Sequence, residues 1–150
     1  MLKYLIIHCT ATPQGREVTS DDIRRWHTAP VSEGGRGWRQ VGYADMIHLD
    51  GMIENLVPYN ENNVVENFEI TNGAAGYNDC SRHVVLVGGC NASGMPDNTF
   101  TELQFAALAA YVADFMRKHP DARVIGHNEI AAKACPCFNV QEFLKTYALV

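Results

Sequence analysis

Three side chains in this sequence carry good metal-donor atoms at positions where a chain can present them. His8 follows the apolar, β-branched run Tyr4-Leu-Ile-Ile7, His127 follows Arg123-Val-Ile-Gly126, and Cys135 lies in the loop beyond. Both runs read as strands, so each histidine ends or follows one. Two imidazoles and a thiolate suit a borderline-soft metal such as zinc. Catalytic zinc sites use three protein ligands and leave the fourth position to water. Spacing alone does not bring His8 and His127 together. A lone strand-end histidine is more often a satisfied structural residue, and a lone cysteine is usually a small buried hydrophobe.

The remaining cysteines are Cys9, Cys80, Cys90 and Cys137. An odd total, without regular spacing or an export signal, argues against a disulfide framework. Only Pro136 separates Cys135 from Cys137, a spacing that rarely permits relaxed disulfide geometry. Among the other histidines, His27 follows Trp26 on a helix and is expected near the core. His48 alternates with Ile47 and Leu49 and is expected to face solvent. His119 is expected at a helix C-terminus, where the helix dipole favours it.

The elements that must position these groups are marked by caps and turns. Thr19 with Asp22 resembles a capping box opening a helix over about 20–27, with Ile23 and Trp26 inward. Pro30 and Gly34-Gly35-Arg36-Gly37 mark an exposed loop. Residues 43–49 and 52–56 read as a hairpin about Asp50-Gly51, which places Tyr43 on a strand. Residues 57–80 are polar and Asn-rich, a long functional loop. His83-Val-Val-Leu-Val87 is a further strand, ended by Gly88-Gly89. Thr101 with Gln104 caps a helix ending near Lys118, with Phe105, Leu108, Val112 and Phe115 as its inward stripe. Asn139 with Glu142 caps a last short helix carrying Phe143. The alternation of strands and helices predicts an α/β fold, a mixed central β-sheet flanked by helices on both faces.

A chain of 150 residues fits one domain, 1–150, with a real hydrophobic core. The net charge of −5 excludes broad attraction to nucleic acid or anionic membranes, and gives no help in approaching an anionic cell wall. No apolar run approaches the roughly 20 residues of a membrane span. The N-terminal run is too short for a signal peptide, so synthesis in the cytoplasm is expected.

Several segments together are similar to the zinc amidases of the T-odd phage lysozyme type. They are His8-Cys-Thr-Ala-Thr12, Ile23-Arg-Arg-Trp-His27, Gly37-Trp38, Val41-Gly-Tyr43, Asp50-Gly51, Gly76-Tyr-Asn78, Leu86-Val-Gly-Gly89, Gly126-His-Asn-Glu129 and Lys133-Ala-Cys-Pro136. These N-acetylmuramoyl-L-alanine amidases, the type 2 amidases, are related to the peptidoglycan recognition proteins. The motifs run in the family's order over nearly the whole chain, and His-Cys-Thr-Ala-Thr and Lys-Ala-Cys-Pro are the specific ones.

The resemblance implies a peptidoglycan-recognition-protein-like fold and Zn2+ held by His8, His127 and Cys135. It implies catalytic roles for Tyr43 and Lys133, which on pattern alone would be a half-buried strand aromatic and a solvated loop charge. The substrate it implies is peptidoglycan or a muropeptide, cut between N-acetylmuramic acid and L-alanine. The setting would be endolysin-like, from a phage or prophage, or wall recycling, with action on the wall after release or export. Whether a regulatory protein partner exists is left open by the residues. The competing reading is a non-catalytic peptidoglycan-binding module, against which Cys135 and Lys133 speak. A structural zinc protein would need a fourth ligand, from Cys9 or Cys137. The chain departs from the resembled pattern at Ala44-Asp45 (His-Phe in many relatives), Asn72-Gly-Ala74 (a His-Ala pair before Gly-Tyr-Asn) and Arg82-His83 (Ile-Gly). The last two fall on the segment 60–83, expected to line the substrate groove.

Overall fold

In the computed structural model, which describes residues 1–150, the first apolar run becomes β1 (Tyr4–Cys9). A two-residue strand β2 (Thr12–Pro13) and helix α1 (Ser20–Thr28) follow. Then come β3 (Asp45–Ile47), β4 (Ile53–Asn55), β5 (Ser81–Leu86), β6 (Gly89–Cys90), α2 (Glu102–Lys118), β7 (Arg123–Gly126) and α3 (Val140–Thr146). The main sheet has the order β4-β3-β5-β1-β7. Its last four strands run parallel to one another, and β4 is an antiparallel edge. β2 and β6 form a separate two-stranded ribbon.

Both faces of the sheet are covered, because alternate residues of its central strands are apolar on either side. Leu5, Ile7, Val84, Leu86, Ile47 and Val124 pack with Leu108, Val112 and Phe115 of α2 and with Phe143 and Leu144 of α3. On the opposite face Met46, Val85 and Val87 pack with Ile23 of α1, Val18 and Val41. The expected mixed sheet with helices on both faces is therefore present.

The caps lie where the sequence puts them. Thr19 Oγ1 accepts the Asp22 N–H at 3.1 Å while Asp22 returns the bond to Thr19 N–H at 3.0 Å, a device worth ~1 kcal/mol. Gln104 does more than close its box with Thr101. Fully buried, it donates Nε2–H to the carbonyls of Ile47 and Val87, tying the start of α2 to the carboxyl ends of the sheet strands. Asn139 accepts the Glu142 N–H at 3.0 Å to open α3.

Three local expectations change. The hairpin exists, but each strand spans only three residues, and Tyr43 precedes β3 instead of lying on it. The turn needs the glycine: Gly51 has φ +86°, and a Cβ there would lie 2.7 Å from the Leu103 carbonyl oxygen. His48 does not face solvent. It is buried against the segment leading into α1, between Glu17 Oε1 and Glu54 Oε1, each at 2.9 Å. Burial pulls its imidazole down, but the two carboxylates outweigh that and hold its pKa above the ordinary value.

Candidate active site

Parallel pairing of β1 with β7 sets Ile7 beside Gly126, so His8, still within β1, and His127, the first residue past β7, stand side by side. Their ring centroids are 4.7 Å apart. The turn that holds His127 is clamped by Glu129, whose carboxylate accepts the Gly126 N–H at 2.6 Å and Gln141 Nε2–H at 3.2 Å. Gly126 has no room for a side chain, since a Cβ would meet Asn128 Oδ1 at 2.6 Å and Val140 Cγ2 at 2.9 Å. The following loop returns Cys135 to β1, where its Sγ lies 3.7 Å from His8 Nδ1 and accepts the Cys9 N–H at 3.3 Å.

The ligand atoms of His8, His127 and Cys135 all lie within 4.8 Å of one another. A tetrahedral zinc site, with bonds of about 2.0–2.3 Å, wants donors roughly 3.3–3.8 Å apart. Small rotamer adjustments close the difference, and the donor set suits the ion. Cys9 and Cys137 do not join this cluster. Cys9 Sγ instead lies 3.7 Å from Cys137 Sγ.

Electrostatics favour the ligating forms of the donors. A hydrogen bond from the Cys9 thiol lowers the Cys135 pKa against the opposing pull of burial, with Lys133 adding to the lowering. Burial, followed by the neighbouring His83, His127 and Lys133, pushes His8 well below its ordinary value. Burial and Lys133 lower His127 in the same sense. Both imidazoles are therefore neutral near pH 7, as metal ligands must be.

The cluster lies at the floor of a cleft of about 750 Å³, at the carboxyl ends of parallel strands, where open α/β sheets bind ligands. Tyr43 stands 5.3 Å from the His8 ring and 5.2 Å from that of His27, measured between centroids. Its phenol is pushed up by burial, then by Cys135 and Cys9, and so stays protonated. His27 accepts the Gly42 N–H at 2.9 Å and so fixes the backbone beside Tyr43. Lys133 lines the cleft as an exposed cation with no carboxylate within 4.0 Å. Arg36 and Arg39 line it too, Arg36 lying 4.9 Å above the Trp38 ring, and no acidic residue does. A chain of net charge −5 thus presents a basic cleft.

The expected ligands and Tyr43 and Lys133 all meet here. Two further residues were not singled out for the site from sequence. His83 is fully buried with Nδ1 2.8 Å from His8 Nε2, and Asn78 lies 3.0 Å beyond it. Burial holds the His83 pKa down to about 3.

Residues 1–138 match the family described as N-acetylmuramoyl-L-alanine amidase. The endolysin of Enterobacteria phage K11 is 35% identical over 144 residues, which cover 96% of this chain and 86% of that protein. The chain belongs to the N-acetylmuramoyl-L-alanine amidase family. This amidase shares its fold with the Ph2119 endolysin of the Thermus scotoductus MAT2119 bacteriophage at a TM-score of 0.73 and 22% identity, over 96% of this chain and 83% of that one. Bumblebee PGRP-SA superposes at a TM-score of 0.70 and 23% identity, over 96% of this chain and 80% of that one. The amidase is therefore a hydrolase of peptidoglycan, similar to phage endolysins, on the fold that the resemblance implied.

Proposed function

We propose that the amidase is zinc-dependent, with His8, His127 and Cys135 as the metal ligands and Tyr43 and Lys133 as catalytic residues, in one catalytic unit over residues 1–150. The observation that carries this reading is the convergence of three donors within 4.8 Å at the floor of a basic cleft. Zinc held there supplies Lewis acidity, and can lower the pKa of water from 15.7 to about 7.

The chain's own residues do the rest. As water adds to the lactyl carbonyl, charge grows on the carbonyl oxygen, and the unpaired Lys133 ammonium offers a counter-charge that strengthens as it does. Tyr43, kept protonated by burial, donates a hydrogen bond that orients the carbonyl or the attacking water. Arg36 and Arg39 give the cleft an affinity for the carboxylates of a stem peptide that the net charge of the chain does not. The protein has no helix long and apolar enough to cross a membrane, and we place its action at the wall after release or export. A purely binding module is disfavoured, because it has no use for a lowered-pKa thiol beside two neutral imidazoles.

The test combines metal and activity on the same samples. The purified protein should contain stoichiometric zinc and release free amino termini from purified wall. A strong chelator should abolish that release, and added zinc restore it. Cys135→Ser should lose metal and activity while remaining folded, whereas Cys137→Ser should be nearly silent. Full activity in chelated protein would end the zinc reading. Metal loss in Cys137→Ser with retention in Cys135→Ser would exchange the two cysteines.

A further inference from the structure

His83 is an imidazole in the middle of a buried strand, where a polar side chain must find partners. It belongs to β5, opposite Ile6 of β1, and is 0% exposed. Its two nitrogens are each engaged: Nδ1 faces His8 Nε2 at 2.8 Å and Nε2 faces Asn78 Oδ1 at 3.0 Å.

One contact fixes the direction of the whole chain. Asn78 Oδ1 also receives the backbone N–H of Ala74 at 2.9 Å, and a backbone N–H can only donate. The atom facing His83 is therefore an acceptor, so His83 Nε2 must carry a hydrogen. His83 is fully buried and its two partners are an imidazole and a neutral amide, with no carboxylate to stabilise a cation, so it carries this one hydrogen only and Nδ1 is left a bare lone pair. That lone pair accepts from His8 Nε2–H. A neutral His8 protonated at Nε2 has its own lone pair on Nδ1, the nitrogen that faces Cys135 Sγ at 3.7 Å.

We propose that His83 is a positioning residue of the metal centre: with Asn78 behind it, it locks His8 in the Nε2–H tautomer and aims Nδ1 at the metal. This rests on the zinc reading above. No proton is transferred; the relay selects a tautomer and a ring orientation, as outer-shell partners of metal-bound histidines do. Gly73 makes room for it. A Cβ at Gly73 would sit 2.6 Å from His83 Nδ1 and 2.6 Å from the Gly42 carbonyl oxygen. Positions 73 and 83, both departures from the resembled pattern, are thus in contact: the strand imidazole occupies space that a side chain on the loop would need.

Two measurements test this. In zinc-loaded protein, nitrogen-15 NMR of the histidine rings should show His8 and His83 each protonated at Nε2 and bare at Nδ1. A hydrogen on His83 Nδ1 would overturn the proposal without any variant. Second, zinc affinity is read by competition with a chromogenic chelator. His83→Phe fills the space without an acceptor and should bind zinc about 10–100-fold more weakly. His83→Asn, whose Oδ1 falls near the place of Nδ1, should recover most of that loss. Unchanged affinity in His83→Phe, or equal losses in both variants, would overturn the relay while leaving the zinc reading intact. Failure of the unmodified protein to bind zinc would remove both together.

Discussion

Replacing Lys133 by alanine takes one positive charge from a cleft that no carboxylate lines. Lys133 is exposed and makes no ion pair within 4.0 Å, so its loss should alter stability by no more than about 0.5 kcal/mol. Its effect on an anionic transition state is of another order. A unit charge about 4 Å from the developing oxyanion, at an effective dielectric near 20, contributes ~4 kcal/mol. Solvent at the open mouth of the cleft reduces this to roughly 3 kcal/mol, the size measured for single oxyanion donors. Lys133→Ala should therefore lower kcat and kcat/KM together by about 10²–10³-fold, because the interaction exists only when the charge does. Lys133→Arg should recover part of the loss, since it keeps the charge but not the compact ammonium. The assay is the initial rate of amino-terminus release from purified wall, with wall sedimentation and zinc content measured on the same preparations. Sedimentation and zinc should be unchanged. Wild-type turnover in Lys133→Ala would refute the reasoning, and a rise in KM alone would reassign the lysine to ground-state binding.

Two further outcomes concern stability. His27 is held down to about 4 by burial and then by Arg36, whereas its ordinary value is 6.5. The unfolded chain therefore binds more protons between those values, and this contribution, full above pH 6.5, is lost as pH falls toward about 4. His27→Asn keeps an acceptor for Gly42 N–H but does not titrate, so the urea-midpoint difference between wild type and this variant should change across that window; a constant difference contradicts the assignment. Buried Asp45 accepts from the Tyr59 and Tyr111 hydroxyls and Asn55 Nδ2, so Asp45→Ala should cost about 3 kcal/mol. That corresponds to a Tm lower by roughly 6–12 °C for a chain of this size, while kcat of the folded protein is retained.

What could be read in advance was whatever is encoded locally. The caps at Thr19, Thr101 and Asn139, the strand Arg123–Gly126 and the Asp50-Gly51 turn are marked by neighbours within three or four residues. The grouping of the proposed ligands had a different source: motif order tied His8 to His127, which strand pairing alone could not do from sequence. His48 and His83 were misjudged or passed over because their environments come from distant segments. Glu17 folds onto His48 from before α1, and β1 brings His8 to His83 across the sheet. A cue for His83 did exist. An imidazole inside a strand as apolar as Val84-Val-Leu-Val87 has to be hydrogen-bonded at both nitrogens, and the polar loop just before it, with Asn78, was the nearest source of a partner. The basic cleft was invisible because net charge averages over a surface on which Arg36, Arg39 and Lys133 are gathered.

The strand order has a temporal meaning as well. Four of the five strands of the main sheet, β4, β3, β5 and β1, lie side by side without β7, which adds only to the free edge of β1. Chains leave the ribosome N-terminus first, so these four strands and His8 have been made while His127 and Cys135 are still to come. The proposed centre thus closes with the last strand and the loop behind it, and a chain cut before β7 keeps four strands of the sheet but only one of the three proposed ligands. On the proposed ligand set, hydrolytic competence is therefore acquired only once the chain has been made as far as Cys135.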